Sequence, residues 1–255
     1  MWEKELELCK KLAVDAGKEI LKVYYDKELN VFYKKDNSPL TIADQLANKV
    51  IIEGLRQYFP EYAILSEEEN DNMKRLANRY CFIVDPLDGT KEFIKKNGQF
   101  TVNIALCVDH ISVMGVIYAP VDEELYFATK GNGAYLEDAN GVRQIVVSDR
   151  VDEIRCVGSS SHGCDDFDRL LQNKKIKTVI KMGSSLKGCL IARGDAEVYY
   201  RYNPTMEWDT AAMQCIVEEA GAVFRQIDGT QMKYNRSNSI NKGFYILNKL
   251  ENKID

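Results

Sequence analysis

The run Asp85-Pro86-Leu87-Asp88-Gly89-Thr90 follows a short apolar stretch, Tyr80-Cys81-Phe82-Ile83-Val84. The apolar stretch reads as a buried strand. Two carboxylates three positions apart therefore stand where a strand ends, and Pro86 and Gly89 punctuate the turn between them. Gly89-Thr90 then opens a helix-like stretch over residues 91–96. A helix start offers free backbone N–H groups and a positive dipole end, which suits an anion. Hard oxygen ligands beside an anion site meet the needs of magnesium-dependent phosphoryl transfer. The plainer alternative is a turn with two solvated aspartates and a capping threonine.

Outward from this run the pattern divides in two. Residues 2–25 carry Leu8, Leu12, Ala16, Ile20 and Val23 at helical spacing, which predicts a long amphipathic helix. A polar loop over 34–38 leads to Pro39. A second helix runs to about residue 58, with Thr41 as its N-cap and Asp44 at the third helical position. Residues 62–65 read as a strand ending in Ser66-Glu67-Glu68-Glu69. Residues 100–108 and 111–118, joined at Asp109-His110, read as a β-hairpin, and 125–129 and 134–137 as another around Gly131-Asn132-Gly133. This is an α+β lobe over residues 1–150. Beyond it, strands at 154–158, 176–182 and 196–202 alternate with helices at 166–173, 184–193 and 210–220. Strands at 222–225 and 244–247 close the sheet. That predicts an α/β lobe over 151–255, with the active site where the lobes meet.

Composition excludes several classes. Hydrophobic residues make up 45% of the 255 residues and charged residues 29%, with a formal net charge of −5. No long basic run is present, so a polymeric nucleic acid is not the expected partner. The seven cysteines are scattered and never form a Cys-x-x-Cys pair. They read as buried free thiols in a reducing compartment. The start, Met-Trp-Glu-Lys-Glu-Leu-Glu, is not a signal peptide, and no apolar stretch is long enough to span a bilayer. The expectation is a cytoplasmic protein; whether it forms a homodimer stays open.

Acidic residues recur at strand ends and helix starts: Glu67, Asp85, Asp88 and Asp209. Each has an ordinary explanation on its own. Glu67 fits a solvated acidic turn, Asp209 a favourable helix-dipole charge, and Asp44 the cap of its own helix. Together they would repel one another unless cations sat among them. His110 and His162 are the only histidines, too few for a His-rich zinc site. No Cys-x5-Arg loop and no P-loop signature occurs.

Ser66-Glu67-Glu68, the Asp85 to Thr90 run and Trp208-Asp209-Thr210-Ala211-Ala212 resemble the signature segments of the inositol monophosphatase superfamily. Within it, four further stretches resemble the bacterial 3'(2'),5'-bisphosphate nucleotidases. They are Asp36-Asn37-Ser38-Pro39-Leu40-Thr41, Lys91-Glu92-Phe93-Ile94, Phe100 to Leu106, and Gly183-Ser184-Ser185-Leu186-Lys187. The resemblance spans essentially the whole chain. It implies a layered αβαβα sandwich and removal of the 3'-phosphate of adenosine 3',5'-bisphosphate, with 3'-phosphoadenylyl sulfate as a related substrate, in sulfur assimilation. It implies two or three Mg2+ ions per site and, often, lithium sensitivity. Glu67, Asp85, the Leu87 carbonyl, Asp88 and Asp209 would be metal ligands. Thr90 and Asp44 would orient a metal-bound water, and the Gly89 and Thr90 N–H groups would hold the scissile phosphate.

Ser184, Lys187 and Arg201 lie where such nucleotidases contact the nucleotide, and the two cations suit the non-reacting 5'-phosphate. The inositol-type relatives carry an acidic residue near the Arg201 position. His162 is assigned to the adenine side. Ser160 stands where the nucleotidases usually have arginine, which removes one basic contact. The competing readings are an inositol monophosphatase or sugar bisphosphatase on the same fold, and a non-catalytic interaction protein.

Overall fold

Two helices and a long sheet come first. The computed structural model describes residues 1–26, 31–33, 39–159 and 165–254. Helix α1 (Glu3–Tyr24) buries Cys9, Leu12, Ala13, Ala16 and Ile20, one face at helical spacing. Short strands β1 (Val31–Tyr33) and β2 (Pro39–Thr41) pair antiparallel and lead into α2 (Ile42–Tyr58). Thr41 caps α2 as its sequence predicts. The Ala43 N–H donates to Thr41 Oγ1 at 3.2 Å, and the Thr41 N–H donates to Asp44 Oδ2 at 2.8 Å. Two N–H groups of the helix entrance are thereby satisfied.

β3 (Ala63–Ser66) and β4 (Tyr80–Asp88) pair in parallel. After α3 (Thr90–Ile94) the chain meanders through β5 (Thr101–Val108), β6 (Ile111–Ala119), β7 (Glu124–Thr129), β8 (Ala134–Asp138) and β9 (Gly141–Ile145). The resulting sheet has seven strands in sequence order. Asp109 and His110 turn the β5–β6 hairpin with φ of 48° and 69°, the left-handed pair that a two-residue type I′ loop requires.

β4 does not end at Val84, as its composition suggests, but runs through Asp88. Asp85 pairs with Asn103 and Asp88 with Thr101, with an irregularity between them. Three steps along β4 therefore match two along β5, so one residue is extra. This is a bulge, and it falls at Pro86-Leu87, where proline has no N–H to give the ladder. The bulge turns the strand end so that both carboxylates reach one cavity.

The second half contributes β10 (Ile154–Ser159), α4 (Asp165–Leu170), β11 (Ile176–Met182), α5 (Leu186–Ala192) and β12 (Val198–Arg201). It continues with β13 (Thr205–Met206), α6 (Glu207–Glu219), β14 (Val223–Gln226), β15 (Ile240–Asn241) and β16 (Phe244–Leu247). A five-stranded sheet runs β11-β10-β12-β16-β14, and β13 pairs with β15 apart from it.

Strand alternation decides how the layers stack. Phe82, Val84, Ile104 and Leu106 point to one face, where they share a core with α1 and α2. Cys81, Ile83, Ala105 and Cys107 point to the other, where the core includes α5, α6 and the inner face of the five-stranded sheet. Leu170 at the end of α4 joins Ile154, Cys156 and Val198 on that sheet's outer face. The layers are thus helix, sheet, helix, sheet, helix, the αβαβα sandwich expected. α6 approaches β6 closely: a Cβ on Gly115 would stand 2.3 Å from the Ala212 carbonyl oxygen. Ser112 Oγ donates to the Ala211 carbonyl at 2.7 Å beside it. The six described cysteines are buried, unpaired thiols.

Candidate active site

A cavity of about 530 Å³ opens where β4, α3, the start of α5, β12 and the start of α6 converge. It is a small-molecule site in size. Glu67, Asp85, Leu87, Asp88, Gly89, Thr90, Ser184, Lys187, Arg201 and Asp209 all line it. Asp44 lies behind this lining. His162 and Ser160 lie outside the described residues.

Asp85, Asp88 and Asp209 bring carboxylate oxygens within 4.8 Å of one another. Burial pushes the Asp85 carboxyl well above the usual carboxylate range, and repulsion from Glu67, Asp88, Asp209 and Asp44 adds to it. Burial, with Asp88 next, pushes Asp209 up to about 8. These groups favour a positive charge between them. The donors are carboxylate oxygens and the Leu87 carbonyl, with no histidine or thiol among them. Such a set fits a hard divalent cation.

Asp209 is inside α6, not ahead of it, because the helix starts at Glu207. Its Oδ2 accepts the Met206 N–H at 2.8 Å. Asp44 does the same one helix away, where its Oδ2 accepts from the Thr41 N–H and, at 2.6 Å, from Thr41 Oγ1. Asp44 Oδ1 meets Thr90 Oγ1 at 3.3 Å. Burial raises the Asp44 carboxyl, while its bonds from Thr41 pull it back.

Asp88 has a different support. Its Oδ2 accepts from Ser185 Oγ at 2.6 Å and from Asn103 Nδ2 at 3.2 Å. The Ser184 backbone just before α5 has φ of 43°, a left-handed conformation that a serine adopts at some cost. α5 begins at Leu186 rather than at Ser184.

Lys187 and Arg201 form the cationic side of the cavity. Lys187 is buried and its Nζ donates to the Ser184 carbonyl at 2.5 Å. Burial pulls its ammonium down to about 8; Asp88 works against this, Arg201 reinforces it, and Glu92 and Asp209 oppose it again. Arg201 Nε is buried without a hydrogen-bond partner among the described residues. An orphaned guanidinium N–H beside an open cavity marks a place for an acceptor.

Sequence reasoning misses Tyr199, Met206, Met213 and Phe244 in the lining. It meets Glu92, Trp208, Asn103 and Ser185 only as parts of longer motifs. Asn103 had a legible signal, being the one amide within the otherwise apolar run from Val102 to Val108. A buried amide needs partners.

The sequence profile of the "Inositol monophosphatase family" matches residues 2–252. The 3'(2'),5'-bisphosphate nucleotidase CysQ of Buchnera aphidicola is 42% identical over 250 residues, 96% of this chain and 94% of that protein. The enzyme of the same name from Salmonella typhimurium is 42% identical over 245 residues, 94% of this chain and 98% of that protein. The crystal structure of CysQ from Bacteroides thetaiotaomicron, described as a bacterial member of the inositol monophosphatase family, superposes with a TM-score of 0.87. It is 38% identical and covers 97% of this chain and 98% of its own.

Proposed function

The chain belongs to the inositol monophosphatase family, and we propose that it is a 3'(2'),5'-bisphosphate nucleotidase that converts adenosine 3',5'-bisphosphate to AMP and phosphate with Mg2+. One observation carries the choice of substrate. The cavity that holds the carboxylate cluster is also lined by Lys91, Lys187 and Arg201, and the Arg201 Nε–H has no partner among the described residues. A substrate with one phosphate at the cluster and a second phosphate at Arg201 satisfies both ends of the cavity. A neutral polyol would leave the buried guanidinium N–H facing hydroxyls only.

Mg2+ held by Glu67, Asp85, Asp88, Asp209 and the Leu87 carbonyl would supply a hydroxide nucleophile at neutral pH and offset charge on the phosphoryl and leaving oxygens. The chain's own groups do the rest. Thr90 Oγ1 donates to Asp44 Oδ1, which leaves the hydroxyl oxygen free to accept from the attacking water. Asp44, raised by burial, is suited to hold the proton that Thr90 relays. The Gly89 and Thr90 N–H groups hold the scissile phosphate, and Lys187 with Arg201 holds the 5'-phosphate. In this reading residues 1–150 form the metal- and phosphate-binding lobe, and 151–255 complete the site and select the substrate.

The test is phosphate release with Mg2+ from adenosine 3',5'-bisphosphate, 3'-phosphoadenylyl sulfate, inositol 1-phosphate and a sugar bisphosphate. The highest specificity constant is expected for adenosine 3',5'-bisphosphate. A higher value for inositol 1-phosphate or the sugar bisphosphate overturns the assignment in favour of a sister phosphatase.

A further inference from the structure

Asn48 stands one helical turn after Asp44 on α2, so the two share a face of that helix. Asp44 meets Thr90. Asn48 meets the turn that carries Glu67. Asn48 and Ser66 are both buried. Ser66 Oγ donates to Asn48 Oδ1 at 2.7 Å, and Asn48 Nδ2 donates to Glu69 Oε1 at 3.2 Å. A carboxylate only accepts, so Glu69 fixes which end of the amide carries the protons. The Ser66 hydroxyl oxygen also accepts the Glu68 N–H at 3.3 Å, and the Ser66 carbonyl accepts the Glu69 N–H at 3.3 Å. Between these ends the Glu67 N–H donates to the Val84 carbonyl at 3.1 Å, next to Asp85. The turn is thus tied to α2 at its first and last residues and to β4 at Glu67. The Glu67 side chain lines the cavity, near enough to help push the Asp44 and Asp85 carboxyls up.

We propose that Asn48 is a positioning residue for Glu67: by gripping Ser66 and Glu69 on either side, it holds the Glu67 carboxylate at the metal cluster. The neighbouring glutamates then have different tasks. Glu67 serves the cation, whereas Glu69 anchors the turn to α2. Arg56 also donates to Glu69, at 2.9 Å, but that pair is 63% and 37% exposed, and exposed ion pairs contribute little. The buried amide is the firmer hold. Mg2+ requires near-octahedral geometry at short distance, so a displaced ligand weakens it. Groups outside the coordination sphere that orient the ligands commonly set metal affinity. The inference rests on Glu67 being a metal ligand, as in the proposed function, and not on the identity of the substrate.

The experiment is calorimetric titration of the full-length, chelator-stripped protein with Mg2+, without substrate. Wild type, Asn48→Leu, Glu67→Gln and the double variant Asn48→Asp/Glu69→Gln are compared, each with a thermal melt of the metal-free form. Asn48→Leu removes both hydrogen bonds at unchanged charge. The double variant exchanges donor and acceptor: the introduced amide donates to the introduced carboxylate, Ser66 still donates to that carboxylate, and net charge is unchanged. Mg2+ affinity is expected to fall about 10-fold in Asn48→Leu, to fall further in Glu67→Gln, and to stay close to wild type in the double variant. A folded Asn48→Leu protein that binds Mg2+ as tightly as wild type overturns the proposal, as does a double variant that binds no better than Asn48→Leu. Should Asn48→Leu not fold, Glu69→Ala is read against Glu68→Ala. Each removes one charge from the turn, but only Glu69→Ala releases Asn48 and should bind Mg2+ more weakly; equal affinities overturn the proposal. Unchanged affinity in Glu67→Gln overturns the ligand assignment and the proposal with it. Lost affinity in Glu67→Gln beside unchanged affinity in Asn48→Leu overturns the proposal alone.

Discussion

Asp44 and Asp209 occupy the same place in two helices from opposite halves of the chain. Each sits at the third helical position and gives Oδ2 to the backbone N–H three residues back. Each thereby satisfies a helix-entrance donor and retains a second oxygen for other work. For Asp44 that oxygen meets Thr90; the Asp209 carboxylate belongs to the acidic cluster. Capping and site chemistry are two uses of one side chain.

Asp209→Asn separates those uses. The amide oxygen still accepts the Met206 N–H, so the helix entrance is kept while the charge is lost. Turnover should fall by about 10³-fold, the scale for losing a main electrostatic group. The metal-free protein should melt higher at neutral pH, because an amide escapes the cost of keeping Asp209 protonated in the buried cluster. A folded variant with near-normal activity would remove Asp209 from the metal site.

Thr90→Ala should lower the rate by about 10²-fold or more, as for loss of a positioned proton-transfer partner. Mg2+ affinity, measured by titration, should change little. Recovery of full rate at high Mg2+ would make Thr90 a support of the metal site instead. Thr90→Ser keeps the hydroxyl and should retain much of the activity.

Arg201→Ala should raise the Michaelis constant for adenosine 3',5'-bisphosphate and leave a substrate with one phosphate nearly unaffected. Loss of a hydrogen bond to a charged group costs on the order of 1.5–3 kcal/mol, or roughly 10- to 150-fold in affinity. The ratio of specificity constants for the bisphosphate and inositol 1-phosphate, in wild type and variant, reads this directly. A ratio unmoved by the substitution would take the second phosphate away from Arg201.

Lys187 gives a pH dependence. Its ammonium is lowered to about 8, so in the free enzyme it loses its proton as pH rises through that value. With Mg2+ saturating, the Michaelis constant for the bisphosphate should rise above about pH 8. That limb should vanish in Lys187→Met. A wild-type profile flat from pH 7 to 9.5 would show that Lys187 does not bind the substrate as a cation.

The acidic cluster gives another dependence, of opposite use. Asp85 and Asp209 are raised in the folded protein. Their contribution to stability is fully present below the unfolded value of about 4. It is lost as pH rises through the folded values, about 8 for Asp209. The melting temperature of the metal-free protein should therefore decline across this window, and saturating Mg2+ should flatten the decline. Parallel curves with and without Mg2+ would place the cation elsewhere.

What the sequence discloses depends on how local the cause is. The β5–β6 hairpin is legible because apolar strands flank a two-residue turn. Thr41 and Asp44 are legible because a capping box spans only four residues. The carboxylates are legible as a group because several acidic residues at element ends imply a cation between them. The support of Asp88 is not legible. It depends on a one-residue bulge that brings Asp88 opposite Thr101 rather than in register, and on Ser185 arriving from the other half of the chain. β9 is also hidden, since Gly141–Ile145 is exposed along most of its length and shows no apolar alternation. The buried position of Lys187 is masked by its being lysine: α5 is enclosed on every side between two sheets, which no single helical pattern reveals.

Gly115 has no polar side-chain atom and does not line the cavity, yet it acts as a spacing gauge for it. α6 rests on β6 where a Cβ at this position would stand 2.3 Å from the Ala212 carbonyl oxygen. Ala212 is less than one helical turn beyond Asp209. A methyl group there would act as a shim, lifting the start of α6 off the sheet that carries Asp85 and Asp88. The spacing between the carboxylates from the two halves is thus held where main chain meets main chain, and one added carbon at residue 115 would widen it.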